Sequence, residues 1–517
     1  MILEWNYEGN AELNCIEQFK KNRNFADDFF SPTLDLLPDE YLMKDIEKAA
    51  NRIIKAIRDK KRIIIFGHDD LDGISSSYIL YDFLEKMGSQ YHYYYIPNRF
   101  KDNHGLQQNF IDLVVEKKID LVITVDGGSS SFDAVEKLNE LGVDVIITDH
   151  HIVPEKLPNA FAIVNPKQKD CSYPFDMLAG VGVIFMVIKV MCKILNIEMQ
   201  KAYILWAAVG SWADKVPLNG VNRILVRNAL DNWLEYEDES MEFFHYYYSI
   251  NKSLFSKFNF MAFLTRILSN GRSDKGIHYA MELLISKINK KKFYDILMKE
   301  KIENEKKIEE VIKFCNKISV DKSQNYFIYY DENDEFQYNL IGLIASIISS
   351  KYRIPVLIFK KKKDQLLCEG RCTDGFNLVE SFEYCKDDLI QFGGHFKAAG
   401  FVADINKIDD IASKFRSFVE LKKENILKNK KINVDIVLEN IQELGNCIYL
   451  FSDFIPFGIG NPEPKILVKS CLFSELSNLP KINISGNNDI CLTKKYDFLL
   501  SFSNKNMLNI VDYRINE

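Results

Sequence analysis

Four residues that can hold a metal or move a proton, His68, Asp69, Asp70 and Asp72, fall within five positions of "RIIIFGHDDLDGISSS" (62–77), directly after a run of aliphatics. Two further aliphatic runs end the same way. "DLVITVD" finishes at Asp126, followed by Gly127 and Gly128, and "DVIITDHH" finishes at Asp149, His150 and His151. Asp214 follows the small-residue stretch "WAAVGSWAD". Taken singly, each acid after a strand reads more readily as a helix N-cap or turn residue than as a ligand. Three strand ends with the same chemistry argue for a shared purpose. Four or five carboxylates in one crevice would repel one another by several kcal/mol at low effective dielectric unless cations neutralised them. Mixed imidazole and carboxylate donors suit Mn²⁺ or Mg²⁺, and a bridging carboxylate can hold two such ions roughly 3.5–4 Å apart, an arrangement that hydrolyses phosphate esters.

The elements that must position these residues alternate from residue 48 to about 150. A charged helix (45–60) precedes the strand 62–67; a helix over 74–87 leads to a Tyr-rich strand over 91–96. Helices over 105–118 and 132–141 separate the two later strands. Strands apolar throughout, separated by single helices, predict a parallel sheet covered on both faces. Its carboxyl-end loops converge on one crevice. Residues 175–315 read as mainly helical. A mixed α/β unit runs from "NYFIYY" to about residue 421, and the lysine-rich segment 422–431 reads as a linker. Short β-like runs, "KILVKSCLF" and "YDFLLSFS", fill the remainder and suggest a small β domain.

At 517 residues, 47% apolar and 27% charged, the chain can bury several cores. No apolar run approaches the roughly 20 residues of a bilayer span, and no leader pattern opens the sequence, so a cytoplasmic protein is expected, with no membrane partner. The ten cysteines are scattered; Cys368 and Cys372 lack a second pair for a zinc site, and all read as reduced thiols. A net charge of −7 does not exclude a nucleic-acid groove, since local potential decides binding. His68, His104, His150, His151 and His395 are five of the eight histidines, and all five lie in motif-like loops.

"HDDLDG", "VDGG", "DHH" and "GSWADKVPL" resemble, in order, the four phosphoesterase motifs of the DHH superfamily, and "QFGGHFKAAGF" (391–401) resembles the glycine-histidine signature of its DHHA1 domain. "IPNRFKDNHGL", "IVNPKQKDCSYPFDMLAGVGV", "TRILSNGR", "CEGRCTDGFNL" and "FIPFGIGNPEP" resemble segments of the RecJ family of single-strand-specific DNA exonucleases. That resemblance, running from about residue 37 to 464, implies an α/β fold: a parallel-sheet DHH domain (48–218) after an N-terminal extension (1–47), a helical connector (219–320), a mixed α/β DHHA1 domain (321–424) and a C-terminal small β, OB-like domain (425–517). It implies two Mn²⁺ or Mg²⁺ ions, one held by His68, Asp70 and Asp126, the other by Asp72, Asp126, His150 and Asp214. Asp126 would bridge, His151 would contact the scissile phosphate, and Asp149 would orient the histidine pair. Asp69, at a variable motif position, is expected to be a solvated neighbour.

The same resemblance marks Arg99, Arg266 and Arg272 as substrate-binding, Arg371 as part of a 5′-phosphate pocket, and His395, between glycines, as a donor to the scissile phosphate. Singly, each arginine reads equally well as a surface ion-pair partner. Glu369 stands where the family usually has serine, and its charge would repel a 5′-phosphate; His104 stands where tyrosine is common. Phe473, Tyr496, Phe498 and Phe502 offer stacking platforms, but their β-type spacing favours core. The implied activity is 5′→3′ hydrolysis of single-stranded DNA to 5′-mononucleotides in repair and recombination. Single-strand-binding protein, helicase or replisome components are the further partners the resemblance suggests. The alternatives are a phosphodiesterase for RNA, short oligonucleotides or cyclic dinucleotides, and an inactive replication-associated binding subunit.

Overall fold

The computed structural model describes residues 4–7, 13–98, 105–236, 238–251, 257–271, 273–321, 323–428, 431–479, 482–483, 490–491, 493–503 and 507–516. The chain divides into two compact units, one made of residues 12–301 and 438–517, the other of residues 1–11 and 302–437.

In the first unit, helix α1 (Ile46–Arg58) leads into strand β1 (Ile63–Phe66), helix α2 (Leu71–Lys86) and strand β2 (His92–Tyr95). Helix α3 (Gln108–Lys117) and strand β3 (Leu121–Val125) follow, then helix α4 (Phe132–Glu140), strand β4 (Asp144–Thr148) and strand β5 (Ala162–Val164). All five strands pair in parallel, in the spatial order β2-β1-β3-β4-β5. The strands are apolar on both faces because both are covered. Ile63, Ile65, Leu121, Ile123 and Ile146 pack into one core with α1 and α2, whereas Ile64, Phe66, Val122, Val145 and Ile147 pack into another with Phe110, Val114, Val135 and Leu138. Successive residues of one strand thus serve opposite layers, as the period-2 pleat requires. Strand order reverses between β1 and β3, which opens a crevice outside their carboxyl ends.

Three helices complete that side: α5 (Gly180–Leu195), α6 (Ala202–Asp214) and α7 (Gly220–Asp231). Helix α5 is nearly all apolar and buried from Gly180 to Ile188, so it sits inside the unit rather than on its surface. Helix α8 (Lys257–Leu268) is followed by a two-stranded hairpin, β6 (Ser273–Asp274) and β7 (Ile277–His278), and by helix α9 (Tyr279–Ile285). The hairpin interrupts a stretch expected to be helical. The C-terminal part of this unit centres on antiparallel strands over Lys465–Leu472, Lys495–Phe502 and Leu508–Ile515. There Tyr496, Phe498 and Phe502 are buried and serve the core, while Phe473 is half-buried. Arg223 of α7, 1% exposed, lies over the Phe29 ring and donates to the carbonyls of Phe29, Asp453, Phe454 and Ile455.

The second unit holds a mixed five-stranded sheet. Strand Phe327–Asp331 runs parallel to Val356–Lys362, which pairs antiparallel with Gln365–Arg371; that strand and Leu389–His395 flank Ala398–Asp404. Leu357 and Phe359 face one core and Val356 and Ile358 the other. Segment 423–428, read from sequence as linker, is instead a short helix, because one of its two apolar side chains, Ile426, is buried in the unit's core while Leu427 stays exposed. Cys368 and Cys372 are buried free thiols. No described helix is long and apolar enough to cross a membrane.

Candidate metal centre

The sequence after β1 folds to present its acids. Asp70 caps α2, its Oδ1 accepting the Gly73 amide at 3.0 Å, while its Oδ2 lies 2.9 Å from His68 Nδ1. The cap starts α2 at Leu71, three residues before the expected boundary, and so puts Asp72 in the first turn. Asp72 is 1% exposed and accepts the amides of Gly180 and Val181 at the start of α5. At the end of β3, Asp126 takes a left-handed backbone, φ 57°, a conformation uncommon outside glycine and enriched where strain is used. Gly128 follows at φ 111°; a methyl group there would lie 2.6 Å from Thr124 Oγ1, so the turn requires glycine.

After β4, Asp149 gathers the histidines. Its Oδ1 accepts the amides of His150 at 2.7 Å and His151 at 3.0 Å and meets His151 Nδ1 at 2.8 Å; its Oδ2 accepts the Ser129 amide at 3.0 Å. Burial alone would raise the Asp149 carboxyl, but the hydrogen bonds and charge of His151 hold it well below the usual carboxylate range. Asn165 donates to the His151 carbonyl at 3.0 Å, and Lys167 donates to that of His150.

These elements bring three donor groups within ligand distance: His68 with Asp70 and Asp126; Asp72 with His150 and Asp214; and Asp126 with His150 and His151. Asp126 and His150 join them. His68 Nδ1 lies 3.6 Å from Asp126 Oδ2, and His150 Nε2 lies 3.1 Å from Asp126 Oδ1, 3.8 Å from Asp214 and 3.9 Å from Asp72. Burial, then the charges of Asp70, Asp214 and Asp149, push the Asp126 carboxyl far up; burial and Asp126 do the same to Asp72. Burial raises Asp214, although His150 opposes it. An uncompensated cluster of this kind is costly.

The donor set fits a divalent cation. Asp126 Oδ1 and His150 Nε2 are buried and make no hydrogen bond, which is expensive for polar atoms unless something coordinates them. Oxygen and imidazole donors without thiolate match hard or intermediate dications. A cavity of about 540 Å³, lined in part by His68, Asp126, Ser129, Ser131 and His151, opens onto the group. The His151 ring is 57% exposed toward solvent.

Asp69 departs from its expected place. It is buried, not solvated, and its Oδ1 lies 3.2 Å from Nε2 of His278, which is also buried. His278 drew no notice from sequence: a lone histidine beyond a loop carries no motif. Arg266 is exposed on α8, and Arg99, His104 and Arg272 lie outside the described residues. Arg371 and His395 belong to the other unit, where His395 is exposed at the end of its strand. Arg371 Nη1 pairs with Glu369 Oε2 at 3.0 Å, and the Tyr338 hydroxyl donates to Glu369 Oε1 at 3.2 Å.

Residues 62–211 match the model of the DHH family, N-terminal domain. Single-stranded-DNA-specific exonuclease RecJ of Bacillus subtilis is 29% identical over 463 residues, 85% of this chain and 56% of the relative. The RecJ of Escherichia coli is 29% identical over 457 residues, 82% of this chain and 77% of the relative. This chain thus spans little more than half the length of the Bacillus protein. Among solved structures, Thermus thermophilus RecJ in complex with Mn²⁺ superposes with a TM-score of 0.75 at 21% identity, covering 97% of this chain and 76% of that one. The fold class is therefore shared.

Proposed function

Because the chain carries a DHH-family domain and resembles RecJ exonucleases over most of its length, we propose that it is a metal-dependent exonuclease that hydrolyses single-stranded DNA from the 5′ end to 5′-mononucleotides. The single observation that carries this reading is the joining of three donor groups by Asp126 and His150 beside an open cavity. His68, Asp70 and Asp126 would hold one Mn²⁺ or Mg²⁺, and Asp72, Asp126, His150 and Asp214 the other. Bound there, the ions would neutralise the acids and supply an acidified water and charge stabilisation at phosphorus.

The chain's own residues do the rest. Asp149 fixes the His151 ring through Nδ1, which would leave Nε2 available to contact the scissile phosphate. Arginines at 99, 266, 272 and 371, with His395, would bind backbone phosphates or the strand end, giving affinity without base readout. Single-strand-binding protein, helicase and replisome components are candidate partners, and the cytoplasm the expected compartment.

The test is digestion of 5′-labelled and 3′-labelled single-stranded DNA with Mn²⁺ or Mg²⁺, resolved by product length. Labelled mononucleotide released at once from the 5′-labelled strand, with the 3′-labelled strand shortening progressively, supports the reading. No hydrolysis, or preference for RNA or dinucleotides, overturns it.

A further inference from the structure

The buried pair Asp69–His278 belongs to none of the three donor groups, yet Asp69 stands between two of their members, His68 and Asp70. A carboxylate next to Asp70 in the chain adds negative charge near a site already crowded with it, so its burial calls for a partner. That partner is fixed from behind. His278 Nδ1 accepts the Ala280 amide at 3.1 Å at the start of α9, which leaves Nε2 as the ring nitrogen turned to the acid, at ion-pair distance, 3.2 Å, from Asp69 Oδ1. The segment bearing His278 is itself seated: the Gly276 carbonyl accepts the Ile96 amide at 2.9 Å, and a methyl group on Gly276 would lie 2.2 Å from the Tyr95 ring.

On the metal reading above, we infer that Asp69 and His278 are positioning residues. They fasten the 68–70 segment to the 273–278 hairpin and so hold His68 and Asp70 at ligand separation without touching the ion. A side chain locked between two ligands restricts the backbone of both, and supporting residues around metal ligands commonly govern affinity.

The experiment measures Mn²⁺ binding by calorimetry on metal-stripped full-length protein, with the melting temperature of each metal-free variant as the control for folding. His278→Ala and Asp69→Asn are expected to weaken Mn²⁺ binding by about 10-fold or more. His278→Gln, which keeps a donor, should recover part of that loss, and the double variant Asp69→Asn/His278→Ala should be no worse than His278→Ala alone, because the pair acts as a unit. Folded variants that bind Mn²⁺ within about twofold of wild type would overturn the inference. If His278→Ala does not fold, Asp69→Asn and His278→Gln decide the question. Wild-type protein that binds no Mn²⁺ overturns both this inference and the metal reading. Wild-type protein that binds Mn²⁺ but cuts no DNA overturns the proposed function alone.

Discussion

Both carboxylate oxygens of Asp72 are held by one helix start: Oδ2 accepts the Gly180 amide at 2.7 Å and Oδ1 the Val181 amide at 2.8 Å. The positive end of α5 thus stabilises a buried acid that its neighbours disfavour. Gly180 also abuts the donor group directly, since a methyl group there would lie 2.6 Å from Asp126 Cβ. Gly180→Ala must therefore push Asp126 and the start of α5 apart. The expected cost is about 1–3 kcal/mol of stability and, on the proposed function, hydrolysis shifts to higher Mn²⁺. Urea unfolding and a metal titration of activity check the two effects.

Metal removal should act on stability through the same acids. The carboxyls of Asp126 and Asp72 sit above their ordinary 3.8, pushed there by burial first and by neighbouring carboxylates second. An acid whose folded value is raised binds protons more tightly folded than unfolded, so stability falls as pH climbs from its unfolded value through its folded one. In chelator the protein should therefore lose melting temperature between about pH 4 and neutrality, and Mn²⁺ should restore it. Asp126→Asn should melt above wild type in chelator at pH 7 and, on the proposed function, abolish hydrolysis. A metal-free wild type whose melting temperature is flat over that range would contradict the argument.

The sheet and its acids were legible in sequence because both depend on local pattern. Ile63 to Phe66 read as a doubly covered strand since every residue is apolar, and Asp126 and Asp149 read as site residues since they end such strands. The Asp69–His278 contact was not legible. It joins segments brought together only by the tertiary fold, and neither residue has a periodicity to betray it. The 273–278 hairpin was hidden for a related reason, its strands being two residues each. Phosphate-facing roles for the arginines rested on resemblance, and the Glu369–Arg371 pair shows how one side chain in the same strand can alter such a role.

Glu369 occupies the guanidinium edge of Arg371 and takes a second hydrogen bond from Tyr338. A phosphate reaching Arg371 must displace a carboxylate of like charge, which disfavours phosphorylated strand ends. Glu369→Ser should release the guanidinium. On the proposed function, the ratio of kcat/KM for 5′-phosphorylated over 5′-hydroxyl DNA should rise by about tenfold, or about 1.4 kcal/mol. Equal ratios for variant and wild type would remove Arg371 from end recognition.

Asp149 sets the opposite pH signature from Asp126. Burial opposes its charge, yet His151 and the Ser129 amide hold its carboxyl below the ordinary 3.8. An acid with a depressed folded value contributes stability that is present above its unfolded value and lost as pH falls toward the folded one. Asp149→Asn keeps one accepting oxygen but sets an NH₂ group against an N–H donor, at Ser129 or at the histidine amides. The expected loss is about 2–3 kcal/mol at pH 7, from charge-assisted hydrogen bonds given up in a buried place. The gap in melting temperature between variant and wild type should narrow as pH drops below about 4, because the wild-type carboxylate is then losing the advantage the variant never had. With its Nδ1 partner weakened, His151 would also turn more freely, so kcat at saturating Mn²⁺ should fall more than Mn²⁺ affinity does. A variant that loses affinity alone would assign Asp149 to metal binding instead of to the orientation of His151.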